Sequence, residues 1–163
     1  MPSSERIALI ASAAVVALLV GYAVYSMASV PGSVSGKVPT SFSVNGKSYT
    51  FTYIATTQDE RETGLMNKPI TNTTTMLFAF PSPISQPFWM YHTNTSLDMI
   101  WVNTSGDSGT VVYVQNDAQP CPNLPCQTYP SSGNAPLANY VIEAKAGFAA
   151  ANGIRVGTTI SFA

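Results

Sequence analysis

The sequence predicts a small, mainly β domain of the α+β class, barrel-like, behind an N-terminal transmembrane helix. The domain should hold about seven short strands and one short helix. Three observations lead there. Residues 7–27 form an uncharged apolar run of 21 residues, and about 20 such residues cross a bilayer as a helix. From residue 41 onward, short β-branched and aromatic runs recur between Gly, Pro, Asn and Ser clusters, the pattern of strands and turns. A single capping box, at Thr57 and Glu60, marks the one substantial helix.

Residues 1–28 are read as a membrane anchor or uncleaved signal, residues 29–40 as a flexible linker, and residues 41–163 as the folded domain. The apolar run exceeds the roughly 7–15 residues of a signal-peptide core, although Ser26-Met27-Ala28 offers a small-x-small cleavage step. Arg6 precedes the run and Lys37 follows at a distance. The positive-inside rule then puts the N-terminus in the cytoplasm. The expected arrangement is a single-pass cell-membrane protein with its C-terminal domain outside the cytoplasm. Ser, Gly, Pro and Val in the linker would hold that domain just clear of the lipid.

The elements follow in order. Apolar and polar residues alternate on either side of Asn45-Gly46, a strong hairpin sequence. Thr57 and Glu60 then open a helix of about two to three turns, running through Met66 and ending before Pro69. Residues 76–80 form an apolar strand closed by Pro81. Residues 88–90, 97–102 and 110–115 read as further strands, with a turn at residues 105–109. Residues 116–137 form a long proline-rich loop without periodicity, a stretch that needs a function or a cross-link to be stable. Residues 140–144 are a strand, 146–152 at most a helical turn, and 156–162 the closing strand.

Charge narrows the functions. Only 9% of residues are charged, against about 25% in a typical soluble domain. From residue 38 on there are seven acidic and five basic side chains. No basic stripe exists to neutralise phosphates, so nucleic acid is not an expected partner. Cys121 and Cys126 are the only cysteines, and a lone pair in an exported chain reads as a disulfide closing the long loop. Asn72, Asn94 and Asn103 each open an Asn-x-Ser/Thr acceptor for glycosylation.

Gly64-Leu65-Met66, Met76-Leu77-Phe78, Phe88-Trp89-Met90, Thr93, Leu97-Asp98, Tyr140-Val141-Ile142-Glu143, Gly147 and Gly153-Ile154 form an ordered series. In this order and spacing the series closely resembles the domain of unknown function 192, a family of uncharacterised proteins, over about residues 41–163. The resemblance implies a small β-rich, barrel-like fold, frequent export or anchoring, and no agreed reaction. The chain departs from the family pattern at Asn67 (usually Arg), Thr75 (Gly), Tyr91-His92 (Lys-Asn), Ser96 (Pro) and Thr158 (Asp).

Several residues invite a chemical role. Histidine is the side chain that titrates near neutrality, and His92 is the only one here. Asp98 lies six residues on, and the two could serve as the base and orienting carboxylate of a hydrolase. No Gly-x-Ser-x-Gly nucleophile accompanies them. The plainer role for His92 is a hydrogen-bonded loop residue. Asp98 and Glu143 each sit in an apolar run, where a carboxylate is costly unless paired. They are read either as loop pins, taking backbone amides or pairing with Arg61 or Arg155, or as part of a rim with Trp89 that binds a polar ligand such as a sugar. Met90 and His92 would suit Cu(I), though methionine is also ordinary core filler.

The preferred reading is a binding or interaction module, not an enzyme, taking a protein or small-molecule ligand with no cofactor. Its expected site joins Trp89, His92, Asp98 and Glu143 to the helix from Arg61 to Met66. A hydrolase using His92, a copper-handling domain and a structural envelope component are the alternatives.

Overall fold

A computed structural model describes residues 34 and 36–163. The expected anchor over residues 1–28, and half of the linker (residues 29–33 and 35), lie outside the described residues. Among the described residues no helix is long and apolar enough to cross a membrane.

Eight strands form one curled, half-barrel sheet. In chain order these are β1 (Ser41–Val44), β2 (Lys47–Thr50), β3 (Tyr53–Ala55), β4 (Thr75–Ser85), β6 (Leu97–Ser105), β7 (Ser108–Ala118), β9 (Leu137–Lys145) and β10 (Thr159–Phe162). Their spatial order is β2-β1-β10-β7-β6-β9-β4-β3, antiparallel except for the β3/β4 pair. A separate ribbon pairs β5 (Phe88–Trp89) with β8 (Thr128–Tyr129). Two short helices, α1 (Gln58–Thr63) and α2 (Phe148–Ala151), complete the domain. The mainly β, barrel-like architecture agrees with the sequence reading, with ten strands in place of about seven and a second short helix.

The central strands β4, β6 and β9 are buried on both faces. Met76, Phe78, Met99, Trp101 and Val141 pack into one apolar cluster, closed by Leu65, Phe88, Met90 and Tyr129. The alternate residues Leu77, Ala79, Ile100, Val102 and Ile142 pack into a second, with Phe42, Ile160, Phe162 and Ala149. This two-sided burial is why the strands read as continuous apolar runs.

Local departures have local causes. Helix α1 opens at the expected capping box: the Thr57 hydroxyl accepts the Glu60 amide, and the Glu60 carboxylate accepts those of Thr56 and Thr57. These amides hold the Glu60 carboxyl down at about 2. The helix stops at Thr63, short of Met66, because Gly64 turns to φ 47°, ψ −132°, a conformation that glycine alone adopts readily. Strand β4 passes through Pro81 and Pro83 instead of ending there. Its register against β9 breaks between Ala79 and Ile84, and such an irregularity accommodates prolines that cannot donate to the ladder. The long loop is shorter than expected, since β7 runs to Ala118 and β8 lies within it.

Candidate functional site

The apolar cluster closed by Leu65 and the β5/β8 ribbon borders one buried carboxyl group, that of Glu143. Register fixes its position. On β9 it stands opposite Met76 of β4 and Met99 of β6, and paired residues share a face. Its side chain therefore lies among Met76, Phe78 and Met99, 3% exposed. Every fully enclosed side-chain oxygen or nitrogen among the described residues has a hydrogen-bond partner. Glu143 makes no such bond among them, so its carboxyl keeps its remaining contact with a cavity that it lines. Burial pushes its pKa up to about 8. Near neutrality the group is a carboxylic acid, able both to donate and to accept.

The cavity is walled by the α1 end of the chain, by Phe78, Phe88, Trp89 and Tyr91, and by Thr93. Its volume is about 20 Å³, room for roughly one water molecule. The family motifs build it. Gly64 brings the chain so close that a Cβ there would lie 3.2 Å from the Phe78 ring. Leu65 is buried in the core and Met66 lines the wall. Phe88 packs edge-on against Phe78 and Trp101, with centroids 4.8 and 5.6 Å apart. Strand alternation then turns Trp89 outward, 42% exposed, and Met90 inward, 1% exposed.

Arg61 also lines the cavity, but its guanidinium is engaged. One nitrogen donates to the carbonyls of Thr56 and Ala79, at 2.7 and 3.0 Å, and the group lies 5.2 Å over the Phe80 ring. It pins α1 to β4. Among the described residues it forms no ion pair with Glu143.

Asp98 occupies the opposite face from Glu143. Its β9 partner is Ala144, one residue on, and one step along a strand reverses the side chain. Both carboxylate oxygens are used: one accepts the Asp117 amide at 3.0 Å, the other the Ala149 amide at 2.8 Å. Asp117 (φ 51°) lies where β7 slips against β6, and Ala149 is in the first turn of α2. Asp98 thus ties a bulge to a helix start, which is the loop-pinning role, and it does not join the rim.

His92 stands beside the cavity, outside its wall. Its backbone is left-handed, φ 50°, a conformation that Asn, Asp and His tolerate better than other residues. That accounts for a histidine where the family pattern has asparagine. Its amide donates to the Cys121 carbonyl and its carbonyl accepts the Asn67 amide, at 3.1 and 2.9 Å. The imidazole stacks on Tyr91 at 3.9 Å, and Tyr91 lies 5.8 Å from Trp89. Among the described residues Asp98 takes its hydrogen bonds from the Asp117 and Ala149 amides and none from His92. Met90 and His92 diverge, the first into the core and the second to the surface.

A feature that sequence reasoning missed is a bowl of about 240 Å³ lined by Asn67, His92, Thr93, Asn94, Pro120 and Pro122. Thr93 is common to the bowl and the cavity. The cysteine loop shapes it: Cys121 and Cys126 stand at disulfide distance, Cα atoms 5.8 Å apart, and Cys121 donates its amide to the Met90 carbonyl at 3.1 Å. The only hint in the sequence was a proline-rich loop in need of a role.

The profile of the family described as DUF192, Uncharacterized ACR, matches residues 41–162. No curated protein matches the chain. Two solved structures are similar. A protein of unknown function from Novosphingobium aromaticivorans DSM 12444 shares 26% identity at a TM-score of 0.60, covering 82% of this chain and 94% of that one. A protein from Sinorhizobium meliloti 1021, described as a proposed transcription regulator, shares 25% identity at a TM-score of 0.60, covering 78% and 98%.

Proposed function

The chain belongs to the DUF192 family, and from that premise we propose that it is a membrane-tethered, outward-facing binding module. Its ligand presents a small uncharged polar group, a hydroxyl or an amide, to Glu143. One observation carries this reading: the carboxyl of Glu143, a residue 3% exposed and without a hydrogen-bond partner among the described residues, lines a cavity with an aromatic rim. A buried polar group normally has its partner within the fold, and an orphan at a cavity mouth fits a partner from outside. The neutral acid favours an uncharged partner, because an ionic one would meet no counter-charge there.

The tether rests on the uncharged run over residues 7–27. The outward orientation is supported by the cysteines at disulfide distance. Asn72, Asn94 and Asn103 are all exposed, as glycosylation acceptors must be. Native mass spectrometry of the full chain, released from its own membrane, tests the binding claim. A bound organic mass, retained by the wild type and lost from Glu143→Leu, is the expected result. A bare polypeptide in both samples removes the claim.

A further inference from the structure

The cavity admits one water-sized group, whereas the surfaces around it are built for something larger. Trp89 and Tyr91 form a tilted aromatic pair at the cavity mouth, 5.8 Å between centroids and 44° between planes. Trp89, at 42% exposed, covers nothing within the domain with its free face. Past Tyr91 the stacked His92 leads into the bowl of about 240 Å³. That volume is below the range of about 300–1,000 Å³ that houses drug-sized ligands, and suits a single six-membered ring. No acidic side chain, lysine or arginine lines the bowl. Its walls are two prolines, two side-chain amides, a threonine and an imidazole.

Resting on the reading of Glu143 above, we propose that the ligand is an uncharged oligosaccharide. One sugar ring lies on Trp89 and sends a single hydroxyl into the Glu143 cavity, and a neighbouring ring occupies the bowl beyond His92. Each half has a physical reason. The C–H face of a sugar ring carries slight positive charge and is attracted to the negative face of an aromatic ring. A hydroxyl both donates and accepts, as a carboxylic acid does, so the two satisfy each other inside a volume that excludes the ring itself. Asn67, and Asn94 in the form that carries no glycan, offer the mixed donors and acceptors that sugar hydroxyls need, with Pro120 and Pro122 as apolar floor. The absence of fixed charge from the bowl selects against sugar acids and phosphosugars.

The test uses the full chain in lipid nanodiscs, not in a sugar-headed detergent. It is made in a host without N-glycosylation, so that Asn94 carries no glycan of its own. Calorimetric titration with maltose, cellobiose, mannobiose and di-N-acetylchitobiose should show saturable binding of at least one. Trp89→Ala, an exposed change that leaves the melting temperature in place, should weaken that binding at least tenfold. Replacing glucose by glucuronate in the bound sugar should weaken it similarly. Glycerol, a probe for the Glu143 cavity alone, is run in parallel as a thermal shift on wild type and Glu143→Leu. If glycerol stabilises only the wild type but none of the four sugars binds, the carbohydrate assignment falls and the Glu143 reading stands. If neither acts, both fall. Sugar binding unaffected by Trp89→Ala overturns the proposed placement.

Discussion

Glu143 and Asp98 are both carboxylates in apolar strands, and the structure gives them opposite fates. Asp98 has two amide partners and Glu143 has none within the described residues. The pH dependence of stability follows from the second. The Glu143 pKa is about 8 in the folded domain against an ordinary 4.5. Between those values the unfolded chain releases a proton that the folded chain keeps. Its contribution is therefore most favourable below pH 4.5, declines as pH rises to about 8, and is flat beyond. The decline amounts to on the order of a few kcal/mol. Glu143→Gln should abolish it, with melting temperatures measured from pH 5 to 9 becoming level across the window. A slope unchanged in the variant would assign it to other groups. Gly64→Ala should cost about 1–3 kcal/mol, because the positive φ and the Phe78 ring both oppose a Cβ; urea unfolding measures it.

At the scale of elements, Asp98 holds the start of α2 and the slipped stretch of β7 with one side chain. Asp98→Ala should cost about 3 kcal/mol, two hydrogen bonds to a charged acceptor. Hydrogen exchange should quicken at Ala149 and Asp117 while ligand binding by the folded fraction is kept. Loss of binding with unchanged stability would instead return Asp98 to the site. Thr57→Ala should cost about 1 kcal/mol, felt chiefly as faster exchange in the exposed α1.

Element boundaries were legible where chemistry is local. The capping box at Thr57 and Glu60 and the Asn45-Gly46 hairpin are both present as read. The end of α1 was not, since it depends on a close approach between Gly64 and Phe78 from a distant strand. The departure at Thr158 is also explained at this scale. Its hydroxyl accepts the Arg155 amide at 3.0 Å, a turn-holding task for which an aspartate carboxylate is also chemically suited.

For the whole molecule, the curled sheet buried on both sides explains what the sequence reveals and what it hides. Continuous apolar runs announce β4, β6 and β9 clearly, and with them the fold class. The same continuity erases the alternation that would tell which face each side chain takes. The sequence alone thus leaves Glu143 and Asp98 open to a shared rim, whereas register sets them on opposite faces. Trp89 faces outward between buried Phe88 and Met90, an alternation short enough to leave little trace in the sequence beyond the motif itself. At this scale the tether makes its own prediction. Protease added to intact cells should release a fragment beginning within residues 29–40, and glycan removal should shift its mass if Asn72, Asn94 or Asn103 is occupied. Full protection of the domain in intact cells would contradict the outward orientation.

The binding proposal depends above all on a neutral Glu143 open to the cavity. The most direct test is a titration of Glu143 by NMR, with the glutamate side-chain carboxyls labelled and the resonance assigned through Glu143→Gln. A midpoint near 8 that glycerol raises further, because the hydroxyl binds the protonated form, is the predicted result. A midpoint near the ordinary 4.5, indifferent to glycerol, would contradict it.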